Sequence, residues 1–153
     1  LYMWIFADNI EDEIGKVKFI IFYLLSGIAA ALTQVFLNTE SMIPMVGASG
    51  AIGGVLGAYI VNHPRAKVLV LIPLGFFSQI VKIPAMFVLG IWFILQFVNS
   101  AFTSSTGGGV AYGAHIGGFI FGAVAILFFN RNVKRKTASK KRSIKSKNPW
   151  DQN

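Results

Sequence analysis

Four stretches of the sequence are apolar over nearly the length needed to cross a bilayer, and none contains Asp, Glu, Lys or Arg. A spanning helix needs roughly 20 apolar residues, and a charged residue at its centre costs about 2.5–3.5 kcal/mol on insertion scales. The whole chain is 54% hydrophobic and 13% charged, whereas soluble domains carry about 25% charged residues. We therefore predict an all-α, polytopic membrane protein with spans at 19–37, 43–62, 84–102 and 109–129.

Two further apolar segments are too short to cross a bilayer. Residues 1–7 resemble the last two turns of a preceding span, so we expect the chain to be a fragment whose earlier helices lie upstream. Residues 68–77 have basic flanks and contain Pro73. This second segment is predicted to lie at the cytoplasmic interface.

The basic residues predict the orientation of the chain. All 14 Lys and Arg residues fall in the 8–18 loop, the segment between the spans 43–62 and 84–102, and the tail, while the loops 38–42 and 103–108 carry none. Because cytoplasmic loops are enriched in Lys and Arg, the C-terminus is predicted to be cytoplasmic.

The tail, 131–153, contains nine of these basic residues and is predicted to be a disordered cytoplasmic segment facing anionic lipids. No aromatic or folded platform accompanies its charges, so binding to nucleic acid is not expected. Nothing in the sequence indicates an oligomeric state.

The octet GASGAIGG places Ser49 among small residues near the start of the second span. Ser49, Gly53 and Gly57 recur every four residues on one face of the predicted helix. Small residues at this spacing commonly form helix contacts in membranes. Taken alone, this pattern is more typical of helix packing than of catalysis.

A second small-residue face carries an ionisable group, because His115 shares a face with Gly118 and Gly122 in the last span. A histidine inside a span is a candidate for a functional site. Ser49 and His115 both lie about six residues, or roughly 9 Å, inside spans that begin on the non-cytoplasmic side. We therefore predict a hydrogen bond between them. His63 is about 21 Å from Ser49 along the same helix and is predicted to be an interfacial residue.

A serine within reach of a histidine is the minimum for nucleophilic catalysis, because the imidazole takes the hydroxyl proton. No span contains Asp or Glu, which predicts a dyad. Backbone N–H groups of Gly47 and Ser49, at a helix N-terminus, are the candidate oxyanion donors. The chain has no cysteine, two histidines and no H-E-x-x-H motif, so we expect no metal and no cofactor.

The motif GASG at 47–50 before a glycine-rich helix, with AHIGG at 114–118 and Gly122, resembles the rhomboid family of intramembrane serine proteases. The segment 4–15, with its Glu-x-x-x-Gly element, resembles the end of that family's second helix. The resemblance covers residues 1–130.

This resemblance implies a six-helix core in which Ser49 starts helix 4 and His115 lies on helix 6. The span 84–102 would be helix 5, a substrate gate, and the substrates would be transmembrane helices cut near the outer side of the membrane. The family's oxyanion His and Asn on helix 2 would lie upstream of Leu1. Some members carry an aromatic residue four positions after the serine, where this chain has Gly53. A compact core of this kind predicts a prokaryotic cell membrane.

The leading hypothesis is an intramembrane serine endopeptidase, with Ser49 as nucleophile and His115 as general base and then acid. The alternative is a catalytically inactive rhomboid-like protein that binds membrane clients, although such relatives typically lack the serine or the histidine. A transporter or channel is disfavoured because no span contains a carboxylate or a basic residue. An intramembrane aspartyl protease is disfavoured because no span contains Asp.

Overall fold

The computed structural model describes residues 1–40, 44–74, 77–102 and 110–146, with side chains described up to Asn130 except at 73, 74 and 77. Within these ranges the chain forms helices and one β-hairpin, in the order α1 Tyr2–Ile14, α2 Lys16–Leu37, α3 Ser49–Asn62, β1 Lys67–Leu74, β2 Phe77–Pro84, α4 Ala85–Phe102 and α5 Tyr112–Ser146. Three helical segments in the described part are long and apolar enough to cross a membrane: Lys16–Leu37, Ala85–Phe102 and Tyr112–Asn130. The predicted all-α, polytopic membrane fold is confirmed.

The predicted loop 8–18 is largely helical. Helix α1 continues to Ile14, and α2 begins two residues later at Lys16. Gly15 separates them with φ +85°, a conformation that residues with a Cβ rarely adopt. Helix α1 extends this far because Ile10 and Ile14 are buried in the core, and that burial outweighs the acidic residues on its outer face.

Helix α3 is shorter than the predicted span 43–62, because it begins only at Ser49. Residues 44–48 are not helical, and Gly47 has φ +131°, which lies outside the helical region. Nearly every side of α3 is buried, including Val55 and Leu56 at its middle. A helix that is apolar all round belongs at the centre of a bundle, and α3 occupies that position.

Glycines let α3 and α5 approach until backbone meets backbone. A Cβ added to Gly118 or Gly122 would overlap the backbone of α3, and one added to Gly57 would overlap the α5 backbone. A Cβ at Gly53 would lie 3.0 Å from the carbonyl oxygen of His115. All four glycines predicted to pack helices therefore lie at the contact between the two helices that carry Ser49 and His115.

The interfacial segment predicted at 68–77 belongs to an antiparallel hairpin whose strands pair Lys67 with Pro84 at its base. Val68 is buried, whereas Leu69 and Leu71 are exposed. Because β1 is apolar on both faces after Lys67, its sequence lacks the polar alternation that usually reveals a strand.

The backbone of α5 is helical to Ser146, so residues 131–146 differ from the disordered tail that the sequence predicted. Lys and Arg favour helix formation, and extending an existing helix avoids the cost of starting a new one. The predicted span 109–129 begins at Tyr112 as a helix. The predicted loop 103–108 and the end of the tail, 147–153, lie outside the described residues.

Candidate active site

Ser49 and His115 come together at one end of the α3–α5 contact. The Nε2 atom of His115 lies 2.8 Å from the Oγ of Ser49, within hydrogen-bond distance, although Ser49 is the first residue of α3 and His115 the fourth of α5, so the two depths are not equal as predicted. Ser49 is exposed and His115 is partly buried. The serine hydroxyl is therefore accessible to another molecule, while the imidazole is enclosed on other sides.

The other ring nitrogen of His115 contacts a residue that the sequence analysis missed. Its Nδ1 lies 2.8 Å from Oε1 of Gln96 on α4, and Gln96 is 6% exposed. The Nε2 of Gln96 donates to the carbonyl oxygen of Trp92 at 2.9 Å. The sequence feature that could have revealed Gln96 is its amide inside an apolar span, where a polar group needs a hydrogen-bond partner.

Two aromatic side chains border the imidazole of His115. The ring centroid of Trp92 lies 5.8 Å away with the planes at 31°, and that of Tyr112 lies 6.3 Å away at 89°. The family resemblance implies that, in some members, an aromatic residue four positions after the serine stacks on the histidine ring. This chain has Gly53 at that position. The aromatic neighbour is instead supplied by α4.

A second glutamine, also missed from the sequence, fixes the start of α5. The backbone N–H of Ala114 donates to Oε1 of Gln34 on α2 at 3.1 Å. The same N–H also donates to the carbonyl oxygen of Ala111 at 3.0 Å, so Gln34 shares one of the first N–H groups of the helix. This bond holds the turn of α5 that carries His115.

The candidate oxyanion donors lie at the start of α3. The carbonyl of Ala48 accepts the N–H of Ile52 at 3.0 Å, which makes Ser49 the first residue of the helix. Its own N–H is among those that a helix start leaves without an intrahelical partner. Gly47 precedes it, and a Cβ there would lie 3.8 Å from Ser49 Oγ. Their role as oxyanion donors stays a prediction.

His63 lies at the opposite end of α3, away from Ser49. Its Nε2 is 3.1 Å from Oε1 of Glu13 on α1, a close contact without hydrogen-bond geometry. Asn62 donates to Glu13 and exchanges side-chain hydrogen bonds with Asn130 at 2.8 and 3.4 Å. This polar cluster joins α1, α3 and α5 at the end of α3 opposite Ser49, and His63 takes no part in the Ser49 site.

No three His, Asp or Glu side chains in the described part of the chain come close enough to hold a metal ion. Among the described residues, the imidazole of His115 is the ionisable group that contacts Ser49.

The fold and this site define a polytopic helical membrane protein with a serine–histidine pair between two of its helices. Residues 1–132 match the family model described as Rhomboid domain. The chain belongs to the rhomboid family.

Two curated relatives are mitochondrial proteins. The chain is 25% identical over 159 residues to Rhomboid protein 1, mitochondrial, of Saccharomyces cerevisiae, an alignment that covers 98% of this chain and 41% of that protein. It is 28% identical over 140 residues to Presenilin-associated rhomboid-like protein A, mitochondrial, of Danio rerio, covering 88% of this chain and 33% of that protein. The chain thus spans less than half the length of either relative. No solved structure matches it.

These relatives give no support to the predicted prokaryotic membrane, because both are named as mitochondrial proteins. The family and the apolar helices establish an integral membrane protein.

Proposed function

We propose that this chain carries the catalytic dyad of an intramembrane serine endopeptidase that cuts transmembrane segments of other proteins. The observation that carries the proposal is the 2.8 Å separation of Ser49 Oγ and His115 Nε2 within a rhomboid domain. A hydroxyl and an imidazole at this distance have the geometry of an activated nucleophile.

In the proposed reaction, the Ser49 hydroxyl attacks the carbonyl carbon of the scissile peptide while Nε2 of His115 accepts its proton. The imidazolium then gives this proton to the leaving amine, and Ser49 remains acylated. Water attacks the ester in a second round, with His115 again acting first as base and then as acid. The N–H groups of Ser49 and Gly47 are proposed to stabilise the oxyanion formed in both rounds.

The surroundings of the dyad support this chemistry. Trp92 and Gln96 restrict the imidazole, whereas Ser49 is exposed and open to a substrate. Helix α4 buries only Ala85, Leu89 and Gln96 among its described side chains. A helix with so few buried side chains can move more easily than its neighbours, which suits the gating role that the family resemblance implies for it.

The orientation belongs to the same proposal. The basic segments place the C-terminus in the cytoplasm or its equivalent, with anionic lipids as partners of the tail, and the Ser49 site opens to the opposite side. Because the chain has no cysteine, Thr39→Cys provides a single site for labelling. A thiol reagent that does not cross the membrane should modify this cysteine from the outer side. If the cysteine is protected from that side, the orientation is the opposite of the one proposed.

The decisive experiment uses the full-length protein in proteoliposomes with a transmembrane reporter substrate. Ser49→Ala should abolish both cleavage and labelling by a fluorophosphonate probe. Ser26→Ala is the matched control, because Ser26 is buried and its hydroxyl bonds within its own helix, to the Phe22 carbonyl. Cleavage that persists in Ser49→Ala would refute the assignment.

A parent protein that binds the reporter helix but neither cuts it nor reacts with the probe would establish the alternative. The chain would then be an inactive rhomboid-like protein that binds membrane clients.

A further inference from the structure

Gln96 differs from the other buried polar side chain in the described part of the chain. Ser26 and Gln96 are 0% and 6% exposed. The Ser26 hydroxyl is satisfied within α2, whereas Gln96 reaches from α4 to the imidazole of His115 on α5. An amide inside an apolar helix is costly unless it is bonded, so this contact between two helices calls for an explanation.

The hydrogen bonds of Gln96 determine which way its amide points. One end faces the carbonyl oxygen of Trp92 at 2.9 Å, and a carbonyl oxygen only accepts hydrogen bonds. The NH₂ group must therefore face Trp92, because the opposite orientation would bring two acceptors together. The amide oxygen is left to face Nδ1 of His115 at 2.8 Å.

The same argument then determines the tautomer of His115. An amide oxygen only accepts, so Nδ1 must carry the hydrogen. In a neutral imidazole the other nitrogen, Nε2, is then the acceptor. Ser49 Oγ lies 2.8 Å from that nitrogen, and its hydroxyl donates to it.

We infer that Gln96 is a positioning residue that holds His115 in the Nδ1–H tautomer and so presents the Nε2 lone pair to Ser49. The tautomer of an imidazole is set by the hydrogen bond that its other nitrogen makes. In the opposite tautomer Nε2 would donate to the Ser49 oxygen and accept no proton from it. Gln96 is thus a neutral counterpart of the acidic group that completes a triad.

The catalytic part of this inference rests on the proposed function, whereas the tautomer does not. The test therefore needs one measurement of activity and one of the imidazole itself. Both use the full-length protein in detergent or proteoliposomes.

The kinetic arm compares the parent with Gln96→Leu, with Gln96→Glu as the conservative variant and Ser26→Ala as the control for loss of a buried polar group. Gln96→Leu should lower kcat about 10- to 100-fold, the range found when outer partners of histidines are removed at metal sites. It should leave KM nearly unchanged, because Gln96 is not placed to touch substrate. Protonated Gln96→Glu keeps both hydrogen bonds, because its carbonyl oxygen accepts from Nδ1 and its hydroxyl donates to the Trp92 carbonyl, and it should recover most of kcat, while Ser26→Ala stays near the parent.

The spectroscopic arm reads the tautomer from the ¹⁵N chemical shifts of the imidazole. His63→Gln, away from the site, removes the other histidine of this chain, and the signals that disappear in a further His115→Gln variant are those of His115. In that background we expect the Nδ1–H tautomer, and Gln96→Leu should shift the signals toward the Nε2–H form. If Gln96→Leu does not fold, Gln96→Asn keeps the amide but is one methylene too short, and the same shift is expected.

The outcomes separate the two proposals. An Nε2–H signal with Gln96 present, or unchanged shifts and kcat in Gln96→Leu, would overturn the role of Gln96. A parent that neither cuts nor reacts with the probe, yet shows the Gln96-dependent shift, would overturn the proposed function and support the positioning.

Discussion

Helix α5 meets its two neighbours in the site in contrasting ways. Against α3 it packs through glycines, with no room for a Cβ at Gly118 or Gly122. Against α4 it packs through large rings, because Phe119 of α5 stacks on Phe93 at a centroid distance of 4.3 Å and lies 6.1 Å from Trp92. The first contact joins backbones, and the second joins side chains that can change rotamer.

The difference assigns separate tasks to the two contacts. Lipid gives helices no hydrophobic drive to associate, so close approach through small residues supplies much of the stability. The α3–α5 contact fixes the positions of Ser49 and His115 in this way. The α4–α5 contact instead sets the orientation of the imidazole through Gln96 and Trp92. Substitutions at one contact can therefore change the positions of Ser49 and His115 while substitutions at the other change the orientation of the imidazole.

The largest effect is expected from Gly122→Ala at the α3–α5 contact. The new methyl group would overlap the Gly54 backbone, so we expect a loss of unfolding free energy at or above the upper end of the about 1–3 kcal/mol typical of overpacking. Denaturation in detergent measures it. Gly90→Ala is the matched control on α4, where an added Cβ meets nothing within 4 Å, and should change stability by about 0.5 kcal/mol or less. Equal losses in the two variants would remove the distinction between the contacts.

A smaller loss of stability is expected from Trp92→Ala. Trp92 is partly buried, and lipid can fill part of the space, so the cost should be below the about 3–5 kcal/mol of enclosed cores. The rate of probe labelling at Ser49 should fall by roughly 10-fold, or about 1.4 kcal/mol, because the imidazole loses a neighbour. Phe87→Ala, whose ring is 55% exposed on the same helix, should leave the labelling rate unchanged. A similar fall in Phe87→Ala would mean that α4 as a whole, and not Trp92, supports the ring.

The smallest effect is expected from Gln34→Leu, which removes one of the two acceptors of the Ala114 N–H and leaves the Ala111 carbonyl as the other. Losing one branch of a shared hydrogen bond predicts about 0.5–1 kcal/mol of destabilisation, again measured by denaturation. Val35→Ala, at a position 62% exposed on the same helix, is the control and should have a smaller effect. A null result for Gln34→Leu would mean that the start of α5 is held by its hydrogen bonds to the Ala111 carbonyl and by the glycine contact, without Gln34.

The predicted hydrogen bond between Ser49 and His115 is present, although the equal depth of about 9 Å from which it was predicted was wrong, because α3 begins at Ser49 and α5 at Tyr112. The sequence did not reveal Gln96 or Gln34, because their partners depend on how three helices are rotated about their axes. Amides also carry no charge, so a search of the spans for charged groups passes over them. Their orientation is a tertiary property that a linear pattern does not contain.

The predicted loop 8–18 was wrong, and the hairpin was missed, for a related reason. The acidic segment in 8–18 is helical because Ile10 and Ile14 are buried, and the hairpin was hidden because Leu69 and Leu71 are apolar on an exposed face. In each case the environment on one side of the element, and not its composition, decided the structure.

The shortness of α3 has a consequence for the supply of water. Its 14 residues span about 21 Å, whereas the hydrocarbon core is about 30 Å thick. The polar cluster of Glu13, Asn62 and Asn130 holds the other end of α3, which the proposed orientation places near the cytoplasmic surface, so in that orientation the shortfall in length lies on the side of Ser49. The non-helical backbone at 44–48 needs solvent for its polar groups, since lipid offers none. In the proposed orientation, solvent at residues 44–48 would lie next to Ser49, where it would supply the water that the proposed peptide hydrolysis consumes.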